Sequence, residues 1–217
     1  MLARRNLQAT EATRLFEQAQ EKMEQALEVA KKAALPGIML LEICEDLAVI
    51  QITQQYYGQQ AQTYLDAAEQ CAPPEYHIRE SGGIAELANP TRAYWRGLGQ
   101  CQLQRMLRYS GQYTSGVRQS HMGDANHSAL LVKACKHLLL MEVYLLGYAE
   151  NSWMLSKAEQ ITLDELKRNY TENQLKLVDA AVVQAANDYG LLGSYALTRA
   201  LNLVKRARCD LPLKSNN

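Results

Sequence analysis

The chain has 217 residues, and its 23 basic and 23 acidic side chains cancel. Zero net charge excludes a global field that would draw it to nucleic acid or to a membrane, so any binding surface has to come from local clustering. A chain of this length buries about 70% of its unfolded surface on folding and needs no disulfide or metal staple.

The five cysteines, Cys44, Cys71, Cys101, Cys135 and Cys209, are widely spaced and include no C-x-x-C pair. They fit neither a disulfide framework nor a zinc finger and read as small buried hydrophobes in a reducing, cytoplasmic compartment. No apolar stretch follows the charges of Met1 to Asn6, so no secretory signal is expected. The most apolar run, Leu130 to Tyr148, carries Lys133, Lys136, His137 and Glu142, and no membrane insertion is expected of it.

Helix formers dominate from about Asn6 to Ala34, with Leu15, Ala19, Met23, Ala26, Leu27 and Ala30 at three- and four-residue steps. That pattern predicts an outer helix with one weakly apolar face. Leu35-Pro36-Gly37 ends it. A second helix is expected over about Ile38 to Gln70, apolar first and then rich in glutamine and tyrosine. Glutamine offers hydrogen bonds without charge, which marks Gln55, Tyr56, Gln59 and Gln60 as candidates for meeting a partner. The spacing Ala61-x3-Leu65-x2-Ala68-x4-Pro73 is that of the second helix of a tetratricopeptide repeat, which leaves helical-repeat-like packing open. No second copy stands in register, and the preceding Glu45, Ala48, Val49 and Ile52 lack the large aromatic and glycine positions of such a unit.

Pro73, Pro74, Gly82 and Gly83 mark a connection over 73–89. It separates an N-terminal helical hairpin, 1–72, from a C-terminal bundle, 90–217, the two packed as one globular unit. Asn89-Pro90 has the form of an N-cap before a third helix reaching about Tyr109, and Gly111, Gly116 and Gly123 predict a loop after it. Asp124 is placed to cap a fourth helix to about Ala149, apolar nearly all round and therefore central. The patterns Ser156-x-x-Glu159, Thr162-x-x-Glu165 and Thr171-x-x-Gln174 predict three capping boxes, with helices near 163–169 and 172–188. A last helix covers Ser194 to Arg208, its terminal cations complementing the helix dipole. The expected fold is all-α, an irregular bundle of about seven helices without a sheet.

One segment stands out for chemistry. No acid lies between Glu86 and Asp124, whereas Arg92, Arg96, Arg105, Arg108 and Arg118 all do, interleaved with Tyr94, Trp95, Tyr109 and Tyr113. Arginine forks pair with phosphate and rings stack on bases, so Arg92, Tyr94, Arg96, Arg105, Arg108, Tyr113 and Arg118 are candidates for single-stranded nucleic acid or for a protein partner. At 100° per residue, however, Arg105 and Arg108 point away from Arg92 and Arg96. His121, Asp124 and His127 have metal-ligand residue types but no evident fourth ligand, and Asp124 has a simpler task as N-cap. No catalytic or cofactor motif is present. These readings point to a non-catalytic interaction module, an adaptor or subunit with a protein partner or self-association. The alternatives are a nucleic-acid-binding protein and a metal-dependent enzyme or sensor.

Overall fold

The computed structural model describes residues 2–55, 57–78, 91–119, 125–147 and 152–209; within these, the side chains of 2–9, 117–119, 125–126, 147 and 152–154 are left undescribed. Among the described residues there are eight α-helices and no strand. They divide between two compact units, Met1–Ala72 and Pro73–Asn217.

The first unit holds α1 (Leu2–Lys32), α2 (Gly37–Thr53) and α3 (Gln59–Gln70), with α2 packed against both others. Leu41, Cys44, Leu47, Ala48, Gln51 and Ile52 of α2 are buried, as are Ala61, Leu65 and Ala68 of α3. The Ala61–Leu65–Ala68 spacing therefore works in seating α3 on α2. The weakly apolar face of α1 is divided: Leu27 and Ala30 are buried and Met23 is half-buried, while Leu15, Ala19 and Ala26 stay exposed.

The single helix expected over 38–70 is two, which brings the count to eight. Gln54 ends the first ladder, Gln55 takes a left-handed backbone (φ 62°), and Gly58 caps α3. A non-glycine residue with positive φ cannot continue a right-handed helix.

The second unit is built around α5 (Ala125–Gly147), which packs against α4 (Arg92–Gln119), α6 (Ser152–Asn169), α7 (Glu172–Asp188) and α8 (Tyr195–Cys209). Its residues from Leu138 to Leu145 are buried without interruption, as expected of a helix apolar nearly all round. Before α4, a 3-10 turn at Pro74–Tyr76 is pinned by its aromatic ring: Tyr76 lies 5.1 Å from Tyr94 and 6.0 Å from Trp95. Its hydroxyl accepts from the Thr91 backbone N–H at 2.6 Å.

Three sequence expectations are corrected here. α4 runs through Gly111 and Gly116 to Gln119, so these glycines do not open a loop. A Cβ at Gly99 would lie 2.5 Å from the Leu145 side chain, and one at Gly116 would overlap the His127 imidazole, so at both positions the missing side chain admits α5. α6 is one continuous helix across both Ser156 and Thr162. Thr162 is buried and its hydroxyl donates back to the Ala158 carbonyl at 2.9 Å, which a mid-helix threonine can do and an N-cap cannot. Of the three boxes, Thr171 with Gln174 forms one, at the start of α7. The stripe Leu175, Val178, Val182, Ala185 and Ala186 is buried as its spacing predicts. Gly123, Asp124, Asn89 and Pro90 lie outside the described residues.

Candidate interaction surface

The arginine-rich segment becomes α4, and the helix separates its members. Arg92 is exposed and Arg96 half-buried in the first turns. Arg105 and Arg108, 5% and 6% exposed, lie in the interior face toward α5. Arg118 lies at the end of α4 with its side chain undescribed. The candidate rings are engaged too. Tyr94 packs on Tyr76, and Tyr113 is buried and stacked on Tyr170, with centroids 5.6 Å apart and planes at 19°. Tyr170 donates to Ser110 Oγ at 2.9 Å, and Ser110 donates to Glu165 at 2.6 Å. Tyr94 and Tyr113 thus hold helices together, and the single flat patch of all five arginines does not form.

A smaller cation–aromatic cluster forms between α4 and α5. The Arg108 guanidinium sits 5.0 Å and the Lys133 ammonium 5.5 Å from the centroid of Tyr109, which stacks on His137 at 5.5 Å. His137 Nδ1 lies 2.6 Å from the Gln102 side-chain oxygen. Burial, and then the charges of Arg105, Lys136, Lys133 and Arg108, hold this imidazole well below its usual range, so it is neutral at pH 7.

In the first unit, the glutamine-rich segment is partly structural. Gln51 donates to Gln20 at 2.5 Å, Gln20 to Glu24 at 2.9 Å, and Tyr64 to the same Glu24 oxygen at 2.5 Å. Gln60 donates to the Tyr64 hydroxyl at 3.1 Å. This network ties all three helices and holds the Glu24 carboxyl below its usual range through the Tyr64 and Gln20 hydrogen bonds. Gln55, Gln59 and Gln60 are exposed, and Tyr56 lies outside the described residues.

The most perturbed acid was not singled out from the sequence. Glu142, on α5, is fully buried; its Oε2 accepts from Arg199 Nε at 3.2 Å, and its Oε1 has no hydrogen-bond partner. Arg199, on α8, also binds Glu159 of α6. Burial, reinforced by the neighbouring Glu159 and opposed by Arg199, pushes the Glu142 carboxyl up to about 8. Through Arg199, Glu142 of α5 and Glu159 of α6 clamp α8 from two sides. A glutamate inside an otherwise leucine-rich run was the only signal in the sequence.

With Arg199 held inward, α8 turns Tyr195, Asn202, Lys205, Arg206 and Cys209 outward. A groove opens on each side of it. The one toward α6 is bordered by Glu159, Tyr195, Arg199, Asn202, Lys205 and Arg206. The one toward α7, about 690 Å³, has Ala180, Val183 and Leu201 on its floor and Lys176, Asp179, Lys205 and Arg208 around it. Leu177 and Val183 of α7 are 57% and 41% exposed. Arg208 is paired with Asp179 at 2.9 Å. Lys205 and Arg206 have no ion-pair partner among the described residues.

The chain matches no family model, no curated protein and no solved structure. Its function is therefore argued from its own surface.

His121 and Asp124 lie outside the described residues, while the His127 ring packs over Gly116. Among the described residues no group of three or more His, Cys, Asp or Glu side chains could hold a metal ion, and no helix is long and apolar enough to cross a membrane.

Proposed function

We propose that this chain is a non-catalytic helical interaction module, an adaptor or subunit of a larger intracellular assembly, and that it docks a protein partner through the outward face of α7 and α8. The observation that carries the reading is the apolar strip of Ala180 and Val183, left open beside the half-buried Leu201 in the groove between α7 and α8. Single exposed apolar residues are ordinary on protein surfaces, but a contiguous strip with a polar rim is what docking faces have. The five thiols, all free, with Cys209 exposed, support a reducing, cytoplasmic setting.

Quantitative capture from cell extract with the wild-type chain and with Leu177→Lys/Val183→Lys tests this reading. Depletion of a defined set of proteins by the double variant is expected, with the melting temperature unchanged because both side chains are exposed. Identical captured sets would contradict it.

Single-stranded nucleic-acid binding is the second reading. It is favoured by the Tyr109 ring flanked by Arg108 and Lys133 beside Lys136. It predicts binding that weakens steeply between about 50 and 200 mM salt and is reduced by Lys133→Ala. No binding to labelled RNA or single-stranded DNA at the lower salt would remove it.

A further inference from the structure

We infer that the occupant of the α7–α8 surface is an acidic amphipathic helix of a partner protein, its apolar side over Ala180, Val183 and Leu201 and its carboxylates against Lys205 and Lys176. The inference rests on the reading of that surface as the docking face and adds the chemistry of what docks.

Charge gives the first argument. From Tyr195 to Cys209, α8 carries Arg199, Lys205, Arg206 and Arg208 and no acid. Two of the four are paired within the fold, Arg199 with Glu142 and Glu159, and Arg208 with Asp179. The other two stand exposed, Lys205 at both grooves and Arg206 at the groove toward α6. Lys176, on the far rim, is held by Glu172 in an exposed i,i+4 pair at 3.3 Å, a contact weak enough to exchange for a partner's carboxylate. The apolar floor toward α7 thus has Lys205 on one rim and Lys176 on the other, with Arg206 beyond it on the α6 side of α8, and its complement is an apolar face flanked by acids.

Backbone satisfaction gives the second. Both walls are helices with their backbone groups engaged internally, so the groove offers no strand edge to an extended chain. A peptide buried there in extended form would leave its own N–H and C=O groups unpaired, whereas a helix satisfies its own. The length also fits. The 17 residues of α7 and 15 of α8 span about 22–26 Å, or four to five helical turns. On α7 the groove is lined at Lys176, Ala180, Val183 and Gln184, an i, i+4, i+7 and i+8 row along which the i, i+3, i+4 and i+7 anchors of a docking helix pack.

Fluorescence anisotropy with two labelled designed helices of about five turns decides it. Both carry leucine at i, i+3, i+4 and i+7; one is flanked by glutamate and the other by lysine. The glutamate helix is expected to bind, and to lose about tenfold in affinity with Lys176→Glu/Lys205→Glu and again with Val183→Asp. Circular dichroism and the melting temperature should stay at wild-type values, since these side chains are exposed. If the lysine helix binds equally well and remains sensitive to Val183→Asp, the acidic partner is overturned and the docking face stands. Binding of neither helix, or binding indifferent to Val183→Asp, removes the docking face as well. A polyglutamate peptide without leucines that bound as tightly would reduce the surface to bare charge and overturn the proposal.

Discussion

Glu142 and His137 sit one turn and a half apart on α5 and shift stability with pH in opposite directions. Between the ordinary carboxylate range and about 8, folded Glu142 keeps a proton that the unfolded chain has released. Stability therefore falls as pH rises through that window and levels off above it. Folded His137 refuses a proton that the unfolded imidazole takes up below about 6.5, so its contribution is lost as pH falls below that value. Between about 6.5 and 8 only Glu142 of the two operates. Urea midpoints should decline across that interval in the wild type, and Glu142→Gln, which keeps an acceptor for Arg199, should flatten the decline. An unchanged slope in Glu142→Gln would contradict the assignment. Glycine acts at the same scale. Gly99→Ala pushes a methyl group into the buried Leu145 and should lower stability by about 1–2 kcal/mol despite the better helix propensity of alanine. Gly116→Ala meets the end of a half-buried imidazole that can turn aside, and a smaller loss is expected in the same urea titration.

At the scale of elements, two helices end in the same way with different residues. After α1, the Leu35 N–H bonds the Ala30 carbonyl at 3.0 Å and Ala34 bonds Lys31 at 3.1 Å; after α7, Leu191 bonds Ala186 at 2.7 Å and Gly190 bonds Asn187 at 3.1 Å. Both are Schellman ends, with the left-handed position held by Ala34 (φ 50°) in one and Gly190 (φ 65°) in the other. Ala34→Gly should therefore raise stability by about 0.5–1 kcal/mol and Gly190→Ala lower it by about 1 kcal/mol, both measurable by chemical denaturation. The sequence announced the first of these ends through Leu35-Pro36-Gly37, and it announced α7 through its capping box, because such signals are local. It misled where local and tertiary demands use the same residue. A glycine that breaks an isolated helix also lets two helices touch, so α4 continues where a loop was expected. A threonine with a glutamate three residues on reads as a cap, yet Thr162 is buried mid-helix and Glu165 faces Ser110. The break at Gln55 had Gly58 as its main local sign.

For the molecule as a whole, composition and periodicity were enough for the all-α class, since alternation was absent and three- to four-residue steps recurred. The surface proposed for docking was less legible. The arginine–tyrosine run stood out because it is contiguous in sequence; helix periodicity already set Arg105 and Arg108 apart from Arg92 and Arg96, but did not show that Arg105, Arg108 and Tyr113 turn inward. The α7–α8 surface was invisible for the converse reason. It assembles Ala180, Val183, Leu201 and Lys205 from two helices, and its character depends on which arginines are paired with acids elsewhere in the unit. The central claim is that this assembled surface, and no other described face of the second unit, meets the partner. A photo-activatable residue at position 183, with a second version at the exposed Lys157 of α6 as reference, tests it most directly in living cells. Discrete protein adducts from position 183, lost when Lys176→Glu/Lys205→Glu is added and absent from position 157, are the predicted result. Adducts of equal yield from both positions, or none from position 183, would contradict it.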